Sequence, residues 1–519
     1  MKAKSNFDLG RFYYNKGNFS KALIFLHKAN RARQGNKNIL LGITNCYLQL
    51  RDYENAIKVL KKTLKVDAKD DKLYFHLCFV YIRTGNIEGA IRACERAIEI
   101  NPRELSYYLR LANVYEKTNE HELALKIIFQ GLIYFPDNGP LQISAAKSER
   151  RLGKYKESLD RLKNLHAQEA GLSPYWKLEY NFELGFVYDG INRADLAFHH
   201  FTKANNTVRS TPSYQKVDKN HSLDLIRNLG NLDFGNINKI INFSKKSPPA
   251  MQPVFFVGFP RSGTTLLQKV LDSHHNIHVI EENNPLGRVT SLIESEPEKY
   301  LQSSFLLNEK NIKKLQAIYF AEAKKYVPID DGSLLIDKLP MNIVQIPIIK
   351  ILFPDAKVLL GLRHPCDSIL SCYMQNFGVN RAMANMFKFE SIINYYDKTM
   401  GLWKIFQKEI DFESHDTRYE DLIENMEEEV RSILQFLGLS WDEEVLNYRQ
   451  NAFKRGLIDT PSYGQVVKPI YTEARYRWHR YAEYFEPYFE KLKPHCEAFG
   501  YQKLTCDINT SVTMNRGKT

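Results

Sequence analysis

A small residue recurs at a fixed interval through the first two-fifths of this chain. Ala22, Ala56, Ala90, Ala124 and Ser158 stand 34 residues apart, and Ala197 follows after 39, with five extra residues near Ala167–Pro174. Other positions keep the same phase. Leu9, Ile43, Leu77, Leu111, Ala145 and Leu184 lie 13 residues before the small residue. Tyr13, Tyr47, Tyr81, Tyr115, Glu149 and Tyr188 lie nine before it. Ala29, Thr63, Ala97, Gly131, Leu165 and Ala204 lie seven after it. A period of this length restricts the fold severely. One unit cannot bury its own apolar face, so neighbours must stack into an array with one continuous core. Small residues at fixed places let two helices approach closely, and the leucine and tyrosine fill the groove between them. Lys16-Gly17-Asn18 and Thr84-Gly85-Asn86 supply turns between the two helices of a unit, and Pro102 and Pro136 close two of the units.

The pattern resembles the tetratricopeptide repeat, over about Ala3–Asn206. The resemblance implies an α-solenoid whose concave groove holds a peptide or another protein. Members that clamp a C-terminal carboxylate need Lys, Asn and Arg on the first helix of each pair. Here Phe7, Leu41, Phe75 and Phe79 occupy such positions, which speaks against that clamp. The period breaks after Asn206. Residues 207–250 read as a connector with one or two short helices, and 506–519 as a disordered tail.

The net charge is +12 and the pI near 9.0, which favours anionic ligands or acidic peptides without requiring nucleic acid. No apolar run approaches the roughly 18–20 residues of a membrane span. Met1–Phe19 has no apolar signal region, so a cytoplasmic enzyme is expected. The seven cysteines form no CxxC and no zinc-ligand spacing, so no metal is expected and free thiols are.

The chemistry concentrates in residues 251–505, expected to form an α/β domain with a central parallel sheet. Val254, Phe255, Phe256 and Val257 read as a buried strand. Gly258-Phe259-Pro260-Arg261-Ser262-Gly263-Thr264-Thr265 follows, and then a helical pattern. Loop amides and a helix N-terminus welcome an anion. The glycine spacing resembles a Walker A loop, but Thr264 stands where a nucleotide triphosphatase or kinase needs Lys. A second apolar stretch, Ile277–Ile280, ends in Glu281-Glu282, a pair placed for general-base work. Leu334–Asp337 ends in Lys338, and Lys357–Leu362 ends in Arg363, with Ser371 eight residues later. Ligands of a parallel α/β sheet sit beyond the carboxyl ends of the strands. Arg261, Lys338 and Arg363 therefore converge on one edge, which suits a ligand with two separated anionic groups.

These residues resemble the sulfotransferases. Phe259–Leu266 is similar to their 5′-phosphosulfate loop, and Leu362-Arg363-His364-Pro365 with Ser371 to their 3′-phosphate motif. The implied donor is 3′-phosphoadenosine 5′-phosphosulfate (PAPS), held by Arg261, Ser262, Gly263, Thr264, Thr265, Arg363 and Ser371. Leu271-Asp272-Ser273-His274 followed by Glu281-Glu282 is similar to the tyrosylprotein sulfotransferase branch. The branch implies Glu282 as the base, 21 residues after Arg261. Arg418–Leu422 and Ser462–Pro469 also match, and imply Tyr419 and Lys468 at the donor and Ser462 near the leaving phosphate. Arg261 and Lys338 would hold the migrating sulfuryl group. His274, His275 and His364 read as capping or packing residues. Arg475–Tyr481 reads as part of a packed C-terminal helix rather than a nucleic-acid surface.

The expectation is a cytoplasmic, bacterial solenoid–sulfotransferase fusion that uses PAPS without a metal and modifies a peptidyl tyrosine. A protein or peptide acceptor docked in the solenoid groove is the expected partner. A glycan, lipid or small-molecule hydroxyl is the alternative acceptor. A P-loop kinase and a non-catalytic tetratricopeptide scaffold are the alternatives from other classes.

Overall fold

The computed structural model describes residues 2–65, 67–294, 306–330, 332–450 and 475–501. It divides into two compact units, one built on Met1–Trp176 and the other beginning at Lys177.

Five helix pairs make the first unit: α1 (Lys2–Asn15) with α2 (Phe19–Ala32), α3 (Lys37–Gln49) with α4 (Tyr53–Leu64), α5 (Asp71–Arg83) with α6 (Ile87–Ile100), α7 (Leu105–Lys117) with α8 (His121–Tyr134), and α9 (Gly139–Arg151) with α10 (Tyr155–Asn164). A sixth pair, α11 (Pro174–Gly190) and α12 (Ala194–Arg209), follows. The small residues do what their spacing requires: Ala22, Ala56, Ala90, Ala124, Ser158 and Ala197 are all 0% exposed. Asn18, Asn36, Asp52, Asp70, Asn86 and Asn138 cap helices by accepting first-turn amides. Glu149 replaces the tyrosine of the other repeats. Arg161 holds it through two hydrogen bonds, Nε at 2.9 Å and Nη2 at 2.6 Å, so a charged pair fills the tyrosine's place.

The second unit carries a parallel five-stranded sheet: β1 (Val254–Gly258), β2 (Ile277–Glu281), β3 (Leu334–Lys338), β4 (Val358–Leu362) and β5 (Ser414–Arg418), in the order β2-β3-β1-β4-β5. Strand alternation sends Phe255, Val257, Leu335 and Leu360 to one core and Val254, Phe256, Ile336 and Leu359 to the other. Helices cover both faces, which is why the strands read as continuous apolar runs. α16 (Thr264–Leu271) follows β1, and α20 (Pro365–Tyr373) follows β4.

Two expectations need correction. Residues 207–250 form three helices, α13 (Pro212–Lys216), α14 (His221–Gly230) and α15 (Phe234–Ser244), not one or two. Ile226, Leu229, Ile237, Ile240 and Ile241 enter the core of the second unit, so the segment is packed structure rather than a connector. The sixth repeat also belongs to that unit. Phe198 stacks on Tyr484 at 3.7 Å between centroids, and the Asn205 amide donates to the Tyr373 carbonyl at 2.9 Å. Asp189 gathers Arg477, Arg480 and the Tyr481 hydroxyl. The repeat pattern in α11–α12 is intact, but its outer face has become a wall of the α/β unit.

This arrangement predicts how the chain tolerates cutting. A chain beginning at Pro174 should unfold as one cooperative transition. One beginning at Thr207 loses partners of Tyr373, Tyr484 and the Arg477–Tyr481 segment and should aggregate or melt well below it. Calorimetry of the two truncations checks this, and equal melting would show α11–α12 to be dispensable.

The C-terminal segment is not the single helix expected of it. Arg477–Tyr481 forms a 3-10 turn, followed by α24 (Ala482–Phe485), a further turn with Pro487, and α25 (Phe489–Ala498), after α21 (Phe389–Glu409), α22 (Tyr419–Glu424) and α23 (Met426–Leu437). Pro487 has no amide hydrogen to continue a helix through that point. Trp478 and Tyr481 are buried and the arginines are engaged by Asp189, so the basic–aromatic pattern serves packing. α17 (Pro285–Glu294), α18 (Glu309–Ala323) and α19 (Ile346–Leu352) complete the described helices used below. Among the described residues, no helix is long and apolar enough to cross a membrane.

Candidate active site

The sequence after β1 must turn sharply to enter α16. It does so with Arg261 at φ 70° and Gly263 at φ 80°, both left-handed. An arginine held there costs of order 1–3 kcal/mol, which the surrounding structure must offset. Gly263 is demanded twice. Its φ disfavours other residues, and a Cβ would run into the Tyr419 ring. Tyr419, the first residue of α22, thus closes over the loop from β5. Gly263→Ala should cost the loop its shape. The expected result is loss of most anion binding with a native far-ultraviolet spectrum, measured by calorimetric titration of nucleotide.

The residues that sequence reasoning placed at the donor are brought together. Arg261 Nε donates to Ser371 Oγ at 3.0 Å, and Arg363 Nη1 to the Arg261 carbonyl at 3.3 Å. The Arg363 guanidinium lies 5.1 Å from the Tyr419 ring centre. Ser262 Oγ is 3.5 Å from Ser368 Oγ. Ser262, Thr264, Thr265 and Arg363 are buried. The 5′ and 3′ motifs are therefore adjacent across β1 and β4 and already cross-linked by hydrogen bonds. Lys468 and Ser462 lie outside the described residues.

Glu281 and Glu282 separate because Glu281 ends β2 and Glu282 turns out of the strand. Glu281 ends β2 and its Oε2 accepts from Lys269 Nζ of α16 at 2.7 Å. Glu282 follows in the left-handed region at φ 48°, with its amide donating to the Lys338 carbonyl at 2.9 Å. Its Oε1 meets Lys338 Nζ at 2.7 Å. The Lys338 side chain is 0% exposed and that of Glu282 38%, so the cation is covered and the carboxylate opens outward.

Electrostatics shows what this edge lacks. Burial, followed by the charge of Arg363 against gains from Cys372 and Glu282, pulls Arg261 below the ordinary arginine range. Burial likewise lowers Lys338, with Glu282 pulling the other way. Cations held where burial disfavours their charge gain from an arriving anion. An anionic ligand suits this edge on that count. Among the described residues no cluster of His, Cys, Asp and Glu could hold a metal ion.

The histidines are accounted for elsewhere. His274 Nε2 is 3.1 Å from the Ser440 carbonyl, His275 pairs with Asp442 at 2.6 Å, and His364 stacks on Trp478 at 5.0 Å. Burial pushes His364 down to about 3, so it stays neutral.

Three supporting residues escaped sequence reasoning. Asp367 accepts the amides of Tyr476 at 2.7 Å and Trp478 at 2.9 Å, which ties the C-terminal segment to α20. Burial raises it to about 6. Glu420 accepts from the His364 amide and the Tyr501 hydroxyl, both at 3.0 Å. Ser368 faces Ser262. Only Ser368 left a usable signal, three residues before Ser371 on one helix face.

Residues 253–443 match the model of the Sulfotransferase family, and 13–78 and 47–112 match the tetratricopeptide repeat. The chain is a fusion of tetratricopeptide repeats with a sulfotransferase-family domain. An uncharacterised protein of Aquifex aeolicus is 28% identical over 323 residues, 60% of this chain and 40% of that protein. Protein-tyrosine sulfotransferase 1 of Danio rerio is 25% identical over 237 residues, 44% of this chain and 66% of that protein. Protein-tyrosine sulfotransferase A of Caenorhabditis elegans is 28% identical over 246 residues, 43% and 60%. The chain spans less than two thirds of the length of each of these relatives.

Proposed function

We propose that this chain transfers a sulfuryl group from PAPS to an acceptor hydroxyl, and that the acceptor is a peptidyl tyrosine. The observation that carries the reading is the meeting of Arg261, Arg363 and Ser371 beside a Lys338–Glu282 pair, on a phosphate-type loop with Thr264 in place of the Walker lysine. The two relatives named protein-tyrosine sulfotransferases support the acceptor class.

When bound, the donor supplies an activated sulfuryl group on a phosphate leaving group. Arg261 and the loop amides orient it in line with the acceptor. A phenol has a reference pKa near 10 and is little ionised at neutral pH, so its proton must be taken as the new S–O bond forms. Glu282, exposed and hydrogen-bonded, would accept that proton. Lys338 would pass from the carboxylate toward the sulfuryl oxygens, stabilising charge as it moves to the departing phosphate. The bisphosphate leaves with the electron pair of the broken S–O bond.

Supplying [35S]PAPS with a tyrosine peptide, the same peptide with phenylalanine, a glycan and a small phenol tests the acceptor. Label is expected on the tyrosine peptide and not on its phenylalanine counterpart. Label on the glycan alone would move the assignment to a carbohydrate hydroxyl.

A further inference from the structure

The third helix pair carries two thiols that the transfer chemistry does not use. Cys78 of α5 lies twelve residues before Ala90, and Cys94 of α6 lies four after it. These two places face each other across a helix pair. In the first repeat they hold Gly10 and Leu26, and a Cβ on Gly10 would stand 2.7 Å from Leu26 Cγ. In the sixth they hold Gly185 and Phe201, and a Cβ on Gly185 would stand 2.6 Å from the Phe201 ring. The fifth has Ala146 and Leu162 there. A small residue thus sits opposite a large one, and one side chain fills the gap. Only the third repeat sets cysteine opposite cysteine. Both are free thiols, 0% exposed, and they share a hydrogen bond.

A buried cysteine can act as a small apolar filler. Filling does not call for two of them, since Ala146 with Leu162 closes the same gap. Sulfur in contact with sulfur on closely packed backbones suits a disulfide, whose Cβ atoms stand about 3.5–4.5 Å apart. The two thiols also differ in character. The hydrogen bond from Cys94 holds Cys78 below the ordinary thiol range, against burial, and the charge of Arg110 on α7 helps. The same bond, with burial, pushes Cys94 up. One sulfur is therefore the readier nucleophile and the other its resolving partner. We propose that Cys78 and Cys94 are a reversible redox site, which hydrogen peroxide converts to a cross-link between α5 and α6. The Cys78 thiolate attacks one peroxide oxygen. An S–O bond forms, the O–O bond breaks, and the hydroxide released takes up a proton as water. Cys94 gives up its proton and attacks the Cys78 sulfur. The S–S bond forms, the S–O bond breaks and a second water leaves. The two thiols lose two electrons and two protons, and the peroxide becomes two waters. Local opening of the helix pair admits the oxidant, because each repeat is held only by its neighbours. The inference concerns the repeats and holds whether or not the transfer reaction is as proposed.

The test treats the reduced full chain with hydrogen peroxide, alkylates the remaining thiols in denaturant and maps the peptides by mass spectrometry. A peptide linking Cys78 to Cys94 is expected, lighter by two hydrogens than its reduced parts and split by dithiothreitol. Oxidation should raise the melting temperature of the repeats by several degrees, because the cross-link restricts the unfolded chain, and reduction should return it. Cys78→Ala combined with Cys94→Leu copies the arrangement of Ala146 and Leu162, so this variant should fold. Its melting should not respond to peroxide. Recovery of both cysteines fully alkylated after peroxide would overturn the inference. So would sulfinic acid on either one without a linked peptide, or an equal peroxide-dependent rise in melting temperature in the double variant.

Discussion

Glu282→Gln is expected to lower turnover by at least about a hundredfold, while nucleotide binding stays near that of the unchanged protein. Proton removal by a positioned carboxylate is typically worth about 10²–10⁴-fold. Gln keeps the shape and can still accept from Lys338, which sits 2.7 Å away, so the variant removes the base and leaves the buried lysine a partner. Glu281→Gln has a different expected outcome. Glu281 pairs with Lys269, whose side chain is only 8% exposed, and the pair joins β2 to α16. Its loss should appear mainly as lower stability, with most turnover per folded molecule retained. Turnover normalised to nucleotide-binding sites separates the two. A dead Glu281→Gln with an active Glu282→Gln would exchange their roles. Activity in both would place the base elsewhere.

Arg363→Ala is expected to abolish most of the thermal stabilisation that adenosine 3′,5′-bisphosphate gives the chain. A ligand at about 100 times its dissociation constant adds about 2.7 kcal/mol to the folded state. Arg363 lies at the end of β4, buried, against the Arg261 carbonyl and the Tyr419 ring. Arg261, the cation of the adjacent loop, is engaged by Ser371. ATP with magnesium should stabilise far less, since the loop has Thr264 where a triphosphate-binding lysine would stand. Equal stabilisation by ATP and magnesium would favour the kinase alternative.

Much of this was legible in the residues because it depends on short-range rules. The 34-residue spacing of Ala22 to Ser158 implied close helix packing, and each of those positions is fully buried. The strands ending in Lys338 and Arg363 could be read from apolar runs, and parallel pairing then put their ends on one edge. What escaped was long-range. Nothing in α11–α12 marks the sixth repeat as a wall of the α/β unit, since its apolar pattern is the same whether another repeat or Tyr373 and Tyr484 covers it. The partners of Asp367 lie more than a hundred residues away, at Tyr476 and Trp478.

The central claim is sulfuryl transfer at the Arg261–Glu282–Lys338–Arg363 site, and acceptor-dependent consumption of PAPS tests it most directly. The full chain should release adenosine 3′,5′-bisphosphate from PAPS in step with the appearance of one sulfuryl group on a tyrosine peptide, read by mass spectrometry. Glu282→Gln should bind the nucleotide and release almost none. Failure of the folded, nucleotide-binding chain to consume PAPS with any tyrosine, glycan or small hydroxyl acceptor, together with transfer of phosphate from ATP, would contradict the assignment.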